Sequence, residues 1–231
     1  MFLGQYVLYG GGDFAIEVAT YLLDIFVTRE ISRSSNEAPI FPIVSDIVSS
    51  GFVRRKDFET ILSDLPKVHS SVDSVQAIDQ KQVIICIGDA HARHRILLEL
   101  RDKNIKLGTL VHSSAYVSDN AKIGNGSIIC PFAFIGPFAS VGANCAINVG
   151  AIVGHDAVLG ESTVLSPGAD INGRAETGKA AFVGAGAILH PKARLGAFGK
   201  LSAGSVLNIR VDDGFLMHGN PAKGRQMFRI R

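Results

Sequence analysis

Seven histidines are spread through the chain, and one of them, His155, is followed directly by a carboxylate, Asp156. An imidazole titrates close enough to neutrality that a small change in its surroundings lets it take up a proton, and an adjacent acid can orient the ring and stabilise its charged form. By themselves the two residues fit either a general base or a solvated surface histidine. Their setting is more informative: they close the six-residue word Ala151-Ile152-Val153-Gly154-His155-Asp156, one of a long series.

From Ala115 to Arg210 the chain divides into sixteen such words with no insertion. The third letter is aliphatic in every word except at Thr177, as in Val117, Ile147, Leu165 and Leu207. The first letter is always small: Ala, Ser, Cys, Thr or Gly. Neither a helical period of 3.6 nor simple strand alternation produces both columns. The pattern predicts a solenoid of short flat strands, each word forming one wall of a triangular prism and three words one coil. The aliphatic letter points inward and stacks on its equivalents above and below. Gly124, Gly136, Gly142, Gly154, Gly160, Gly178, Gly184 and Gly196 follow the aliphatic letter, and Asn148, Asn172 and Asn208 replace them elsewhere. These types tolerate positive φ, so the bends are expected at this fourth letter. A charged group cannot enter such a core, which sends His155 outward from a prism edge.

Before the repeat lies a different organisation. The apolar run Gln5 to Tyr9 ends in Gly10-Gly11-Gly12 and passes into a helical pattern at Asp13-Phe14-Ala15. Strand, glycine turn and helix start in that order can hold a phosphate at the helix N-terminus, although Gly10-x-Gly12-x-x-Ala15 alone equally describes a tight turn with no ligand. Runs at Ile40 to Val44 and Val83 to Ile87 read as further strands, the second followed by Gly88-Asp89 and a helix from Ala90 to about Lys103. This is a small Rossmann-like α/β unit with a parallel sheet, whose ligands gather at the carboxyl ends of the strands. Those ends hold Gly12, Asp13, Phe14, Asp46, Gly88 and Asp89. The Ser-rich stretch Thr28 to Pro39 reads as a mobile loop. The predicted domains are 1–110, 111–210 for the solenoid and 211–231 as a closing segment.

The remaining histidines rank lower. His91 and His94 ride on the helix after Gly88 and are expected to face solvent, with His91 nearest the helix start and so nearest any phosphate there. His112 stands at the domain junction and His218 in the closing segment, where either could meet a ligand from another subunit. His190, beside Pro191, reads as structural, and His69 in the polar stretch Lys67 to Ser74 receives no role.

The combination of a glycine-turn α/β domain, Thr109-Leu110-Val111-His112-Ser113-Ser114-Ala115, the hexapeptide ladder and Gly219-Asn220-Pro221-Ala222-Lys223 resembles the hexapeptide-repeat nucleotide-sugar acetyltransferases. These are the bacillosamine and perosamine N-acetyltransferases and the sialic acid O-acetyltransferases. The resemblance covers nearly the whole chain. It implies a left-handed parallel β-helix, acetyl-CoA as acyl donor, a nucleotide-linked amino sugar held by the first domain, and a homotrimer with its sites between subunits. His155-Asp156-x-x-x-Gly160 matches the family's catalytic motif, making His155 the base and Asp156 its partner. The family's oxyanion donor, a backbone N–H one coil on, falls at Gly173. Backbone contacts to the cofactor fall at Ala185 and Ala203, and Lys192, Lys200 and Arg210 are candidates for its phosphates. Two positions depart from the pattern: Val164 stands where a second, cofactor-contacting histidine is common, and Phe14 where many relatives have His. The sugar is therefore open.

A net charge of +2 gives no reason to expect nucleic acid or an anionic membrane as partner. The three cysteines are an odd number, consistent with buried free thiols in a reducing compartment. No basic leader precedes the first apolar run and no stretch has the length of a membrane span, so a cytoplasmic protein is expected. Rival readings are O-acetylation of sialic acid or another sugar hydroxyl, a zinc enzyme of the γ-carbonic anhydrase kind, and a trimeric scaffold without turnover. The zinc reading needs three imidazoles around a metal, but His155 and His190 lie at different letters almost two coils apart and no third solenoid histidine exists. No metal is expected.

Overall fold

The computed structural model describes residues 6–10, 13–30, 43–44, 68–69 and 81–228. By compactness the chain forms two units, Met1–Ile87 with Glu99–Gly108, and Gly88–Leu98 with Thr109–Arg231.

In the first unit, β1 (Tyr6–Tyr9), β2 (Ile43–Val44), β3 (Val68–His69) and β4 (Gln82–Ile85) form a parallel sheet in the order β3-β2-β1-β4. β1 and β4, whose side chains are described, are apolar and almost wholly buried, as in a sheet covered on both faces. Helix α1 spans Asp13–Glu30 and helix α2 spans Ala90–Asp102, which passes from one unit into the other. Strand β3 has no counterpart in the sequence reading, because its two residues lie in a polar run with no alternation to betray them. Gly10 has φ +130°, and a Cβ there would lie 2.6 Å from the carbonyl oxygen of Cys86. This glycine is thus explained by the close pass of β4, whatever binds nearby.

The second unit is the predicted solenoid. Three parallel sheets, made of two-residue strands, run the length of the coil. Face one starts at Leu110–Val111, face two at Tyr116–Val117 and face three at Lys122–Ile123, and strands eighteen residues apart pair in register, as Ile152 does with Phe134 and Asp170. The aliphatic letters from Ile129 to Leu207 form one buried column with the small first letters beside them. Thr177, the exception among them, is 5% exposed, and its hydroxyl meets that of Thr163 at 2.9 Å. Two modest polar groups thereby satisfy one another inside the core. After Leu207 the period shortens: Arg210 and Val211 pair with Arg194 and Leu195, sixteen residues earlier, so Arg210 opens a face-three strand instead of closing a word.

The bends differ from expectation in one respect. Positive φ falls on the sixth letter, at Phe132, Phe138, Asn144, Gly150, Asp156, Ser162, Gly168, Arg174 and onward, and not on the fourth-letter glycines. The left-handed corner turns the sixth N–H down onto the previous coil: Asp156 donates to the Pro137 carbonyl at 3.0 Å and Arg174 to that of His155 at 2.9 Å. The fourth-letter glycines answer to a steric demand instead. A Cβ on Gly154 would lie 2.9 Å from the Gly173 nitrogen, and one on Gly142 would lie 2.8 Å from Glu161 N. Where asparagine takes this place it faces the same crowding with a hydrogen bond, as Asn172 Nδ2 donates to Leu189 O at 3.0 Å. The fifth letter is the one whose N–H the coil does not use at Gly173, Ala185 and Ala203, which find no acceptor among the described residues. Proline fits there without cost, and Pro131, Pro137, Pro167 and Pro191 all occupy it.

Candidate active site

His155 is a fifth letter on the edge between faces two and three. Its Nδ1 lies 2.8 Å from Asp156 Oδ2, which engages that nitrogen and leaves Nε2 available. Asp156 reaches back to its neighbour from a left-handed backbone, φ 57°. Both side chains are well exposed, at 57% and 43%, so the pair stands on the surface of a single chain. Gly173 follows one coil later, and the imidazole lies over it: a Cβ at Gly173 would collide with Nε2, Cε1 and Cδ2 of the ring. An imidazole, a carboxylate at its Nδ1 and a backbone N–H without an internal acceptor therefore meet on one corner. Arg174 adds a guanidinium 3.8 Å from the same Asp156 oxygen, a contact that no sequence motif announced.

Ala185 and Ala203 are exposed, but they occupy the edge between faces one and two, away from His155. That edge is almost bare, because its sixth letters after Phe132 are Gly150, Gly168, Gly186 and Gly204. A single chain does not bring these residues to His155. Val164 is 1% exposed on face one, paired with Ala146 and Phe182, so its side chain packs within this chain.

Of the candidate sugar-binding residues, Asp13 is exposed in the first turn of α1 and Phe14 is half-buried beside it. Gly12 and Asp46 lie outside the described residues, as does 31–39 of the predicted loop. Gly88 has open space where a side chain would be. Asp89 caps α2, its Oδ1 accepting from Ala92 N at 2.8 Å, and its other oxygen lies 3.9 Å from Lys200 Nζ.

His91 and His94 do not face solvent. His94 is 7% exposed, with Nδ1 3.4 Å from both Ser162 Oγ and Glu161 Oε1, and His91 packs edge-on against Phe198 and Phe228. Three apart on a helix, they share a face, and that face is turned onto the solenoid. The anchor is Arg93, fully buried, whose guanidinium donates to the carbonyls of Asn144 (2.7 Å), Cys145 (3.4 Å) and Gly126 (3.5 Å). Asn144 returns a bond to the Arg93 carbonyl at 3.1 Å. Backbone acceptors leave no trace in a sequence, which is why this arginine was missed. Lys192 is exposed, whereas Arg210 is held by Glu176 at 3.0 Å. Among the described residues no three potential metal ligands cluster, and no helix is long and apolar enough to cross a membrane.

Solved structures share this architecture over nearly the whole chain. Perosamine N-acetyltransferase from Caulobacter crescentus, in complex with CoA and GDP-perosamine, is 26% identical with a TM-score of 0.77, over 96% of this chain and 97% of that one. This chain is similar to hexapeptide-repeat nucleotide-sugar acetyltransferases over nearly its whole length. The solenoid is accordingly the left-handed parallel β-helix of these acetyltransferases. The same fold recurs in the acetyltransferase domain of PglB from Neisseria gonorrhoeae in complex with acetyl coenzyme A, at 23% identity and TM-score 0.75, covering 96% and 100% of the two chains. It recurs again in WeeI from Acinetobacter baumannii, at 24% and 0.74, covering 95% and 99%. No protein-family model matches this chain, and no curated protein matches it in sequence.

Proposed function

We propose that this chain transfers the acetyl group of acetyl-CoA to the amine of a nucleotide-linked amino sugar, with His155 as general base. The observation that carries the mechanism is the imidazole over Gly173, its Nδ1 held by Asp156. The neutral amine attacks the thioester carbonyl, forming a C–N bond and a tetrahedral oxyanion. The Gly173 N–H, without an internal acceptor, donates to that oxygen, and Nε2 of His155 takes the proton the nitrogen sheds. Collapse breaks the C–S bond, and the departing thiolate receives the proton as free CoA.

The donor and acceptor classes come from the Caulobacter crescentus enzyme, which binds CoA and GDP-perosamine. Gly12, Asp13, Phe14, Asp46, Gly88 and Asp89 serve the sugar nucleotide in this reading, and Ala185 and Ala203 serve CoA through their backbone. Because those alanines and His155 lie on different edges of one prism, a complete site needs edges from two chains. A homotrimer supplies three such pairings, and we place it in the cytoplasm, where acetyl-CoA is made.

The test is thiol release from acetyl-CoA with a panel of uridine, guanosine and thymidine diphosphate amino sugars, and with free sialic acids. Cys86, Cys130 and Cys145 are all buried, and burial pushes the Cys145 thiol up to about 12, so thiol reagents see little background from the folded protein. Turnover of an amino sugar, with His155→Ala slower by about 10² to 10⁴, is the expected result. Turnover of hydroxyl acceptors alone would assign O-acetylation, and equal rates for H155A would remove His155 as the base.

A further inference from the structure

The corner that holds His155 carries a cost that the neighbouring corner avoids. Along the edge between faces one and two, four successive sixth letters are glycine, Gly150, Gly168, Gly186 and Gly204, which accept φ of 61° to 66° freely. Along the edge between faces two and three, the equivalent letters are Phe138, Asp156, Arg174 and Lys192, all held at φ 57° to 66° with side chains that disfavour it. Strain of this kind persists where the side chain has work to do. Arg174 gains little from packing, since its side chain is 61% exposed.

Its position explains what it reaches. Asp156 and Arg174 are the same letter in successive coils, so their side chains leave one edge a strand spacing apart. The guanidinium Nη2 lies 3.8 Å from Asp156 Oδ2, the oxygen that also meets His155 Nδ1 at 2.8 Å. Glu176, two residues on, is engaged elsewhere, meeting Arg210 at 3.0 Å and Arg194 at 3.9 Å. An exposed ion pair of this geometry adds little to folding stability. What it does is give the Asp156 oxygen that meets the ring a second, cationic neighbour. Water can otherwise draw a carboxylate that is 43% exposed into other rotamers, taking the imidazole with it.

We propose that Arg174 is a positioning residue for acetyl transfer, bracing Asp156, which in turn sets the His155 ring over Gly173. The proposal rests on the reading of His155 as base. Its chemistry requires a guanidinium or ammonium at the sixth letter of this coil and no contact between Arg174 and either substrate.

The experiment compares steady-state kinetics and thermal unfolding of Arg174→Gly and Arg174→Lys with wild type, with His155→Ala alongside. For R174G, kcat is expected to fall roughly tenfold, as when a partner that orients a catalytic histidine is removed, with KM for acetyl-CoA and acceptor within about twofold. Its Tm should equal or exceed that of wild type, because glycine relieves the left-handed corner. R174K should recover most of kcat. An unchanged kcat in R174G while H155A is inactive would overturn the positioning role and leave the base reading intact. A raised KM for acetyl-CoA at constant kcat would make Arg174 a phosphate contact instead, and a fall in kcat that tracks a lowered Tm would make it structural. Full activity in H155A would remove the underlying reading and this inference with it.

Discussion

The imidazole of His155 lies over Gly173, eighteen residues further on, where a β-carbon would strike Nε2, Cε1 and Cδ2 together. Gly173 therefore has two duties, presenting an unused N–H and leaving room for the ring. Gly173→Ala should push the imidazole off the corner and lower kcat by about 10²-fold, the scale of a misplacement near 1 Å. Because the ring is exposed and free to move away, Tm should shift by little. Kinetics and calorimetry on the same variant check both statements.

Glycines at different letters of the repeat should respond very differently to the same substitution. A Cβ on Gly178 would run into the backbone of Gly196 and Ala197 in the next coil, whereas Gly150 has open space and only its φ of +65° to lose. Gly178→Ala should cost about 3 kcal/mol or more, because backbone cannot step aside as a side chain can. Gly150→Ala should cost about 1 to 2 kcal/mol. Denaturant unfolding of the two variants measures the difference.

Arg93 places a fully buried cation among three carbonyl oxygens, those of Asn144, Cys145 and Gly126. Arg93→Met keeps much of the volume but leaves these acceptors and the Asn144 amide network without their donor. A loss of about 2 to 4 kcal/mol is expected, since buried polar groups stripped of a charged partner bear their full desolvation cost. Amide exchange should rise first in α2, which Arg93 ties to the solenoid.

Asp170 stands on face two in register between Ile152 and Ile188. Loss of hydration raises its carboxyl above 3.8, and the contact with Asn172 offsets part of that. The folded chain then binds this proton more tightly than the unfolded chain does. Stability from this group is complete below pH 3.8 and is lost as pH rises through the folded value. Asp170→Asn should melt higher than wild type at pH 7, and the gap should close as the pH falls below about 4. A constant gap across that range would remove the titration argument.

Much of the solenoid was legible because its constraint repeats. An inward aliphatic letter and a small neighbour recur through sixteen words, so the coil, the faces and the eighteen-residue step from His155 to Gly173 could be counted directly. The glycine column was visible as well, but its cause was misread. Sequence composition does not distinguish a residue chosen for positive φ from one chosen because another coil passes within 3 Å, as at Gly154. Only coordinates separate the two. His91 and His94 were misplaced for a related reason: their helix looks amphiphilic and exposed until the solenoid edge is set against it.

The sequence by itself determined the period, the inward column, the exposed placement of His155 and Asp156, and the one-coil step from His155 to Gly173. These are local or strictly repeating properties, and a count of residues is enough to locate them. Tertiary structure decided which nitrogen of His155 is engaged, that its ring covers Gly173, that Arg174 reaches Asp156, and that the Val164 and Arg93 side chains are buried. Each depends on where a side chain points relative to a strand eighteen or more residues away, or on backbone carbonyls that every residue type carries alike.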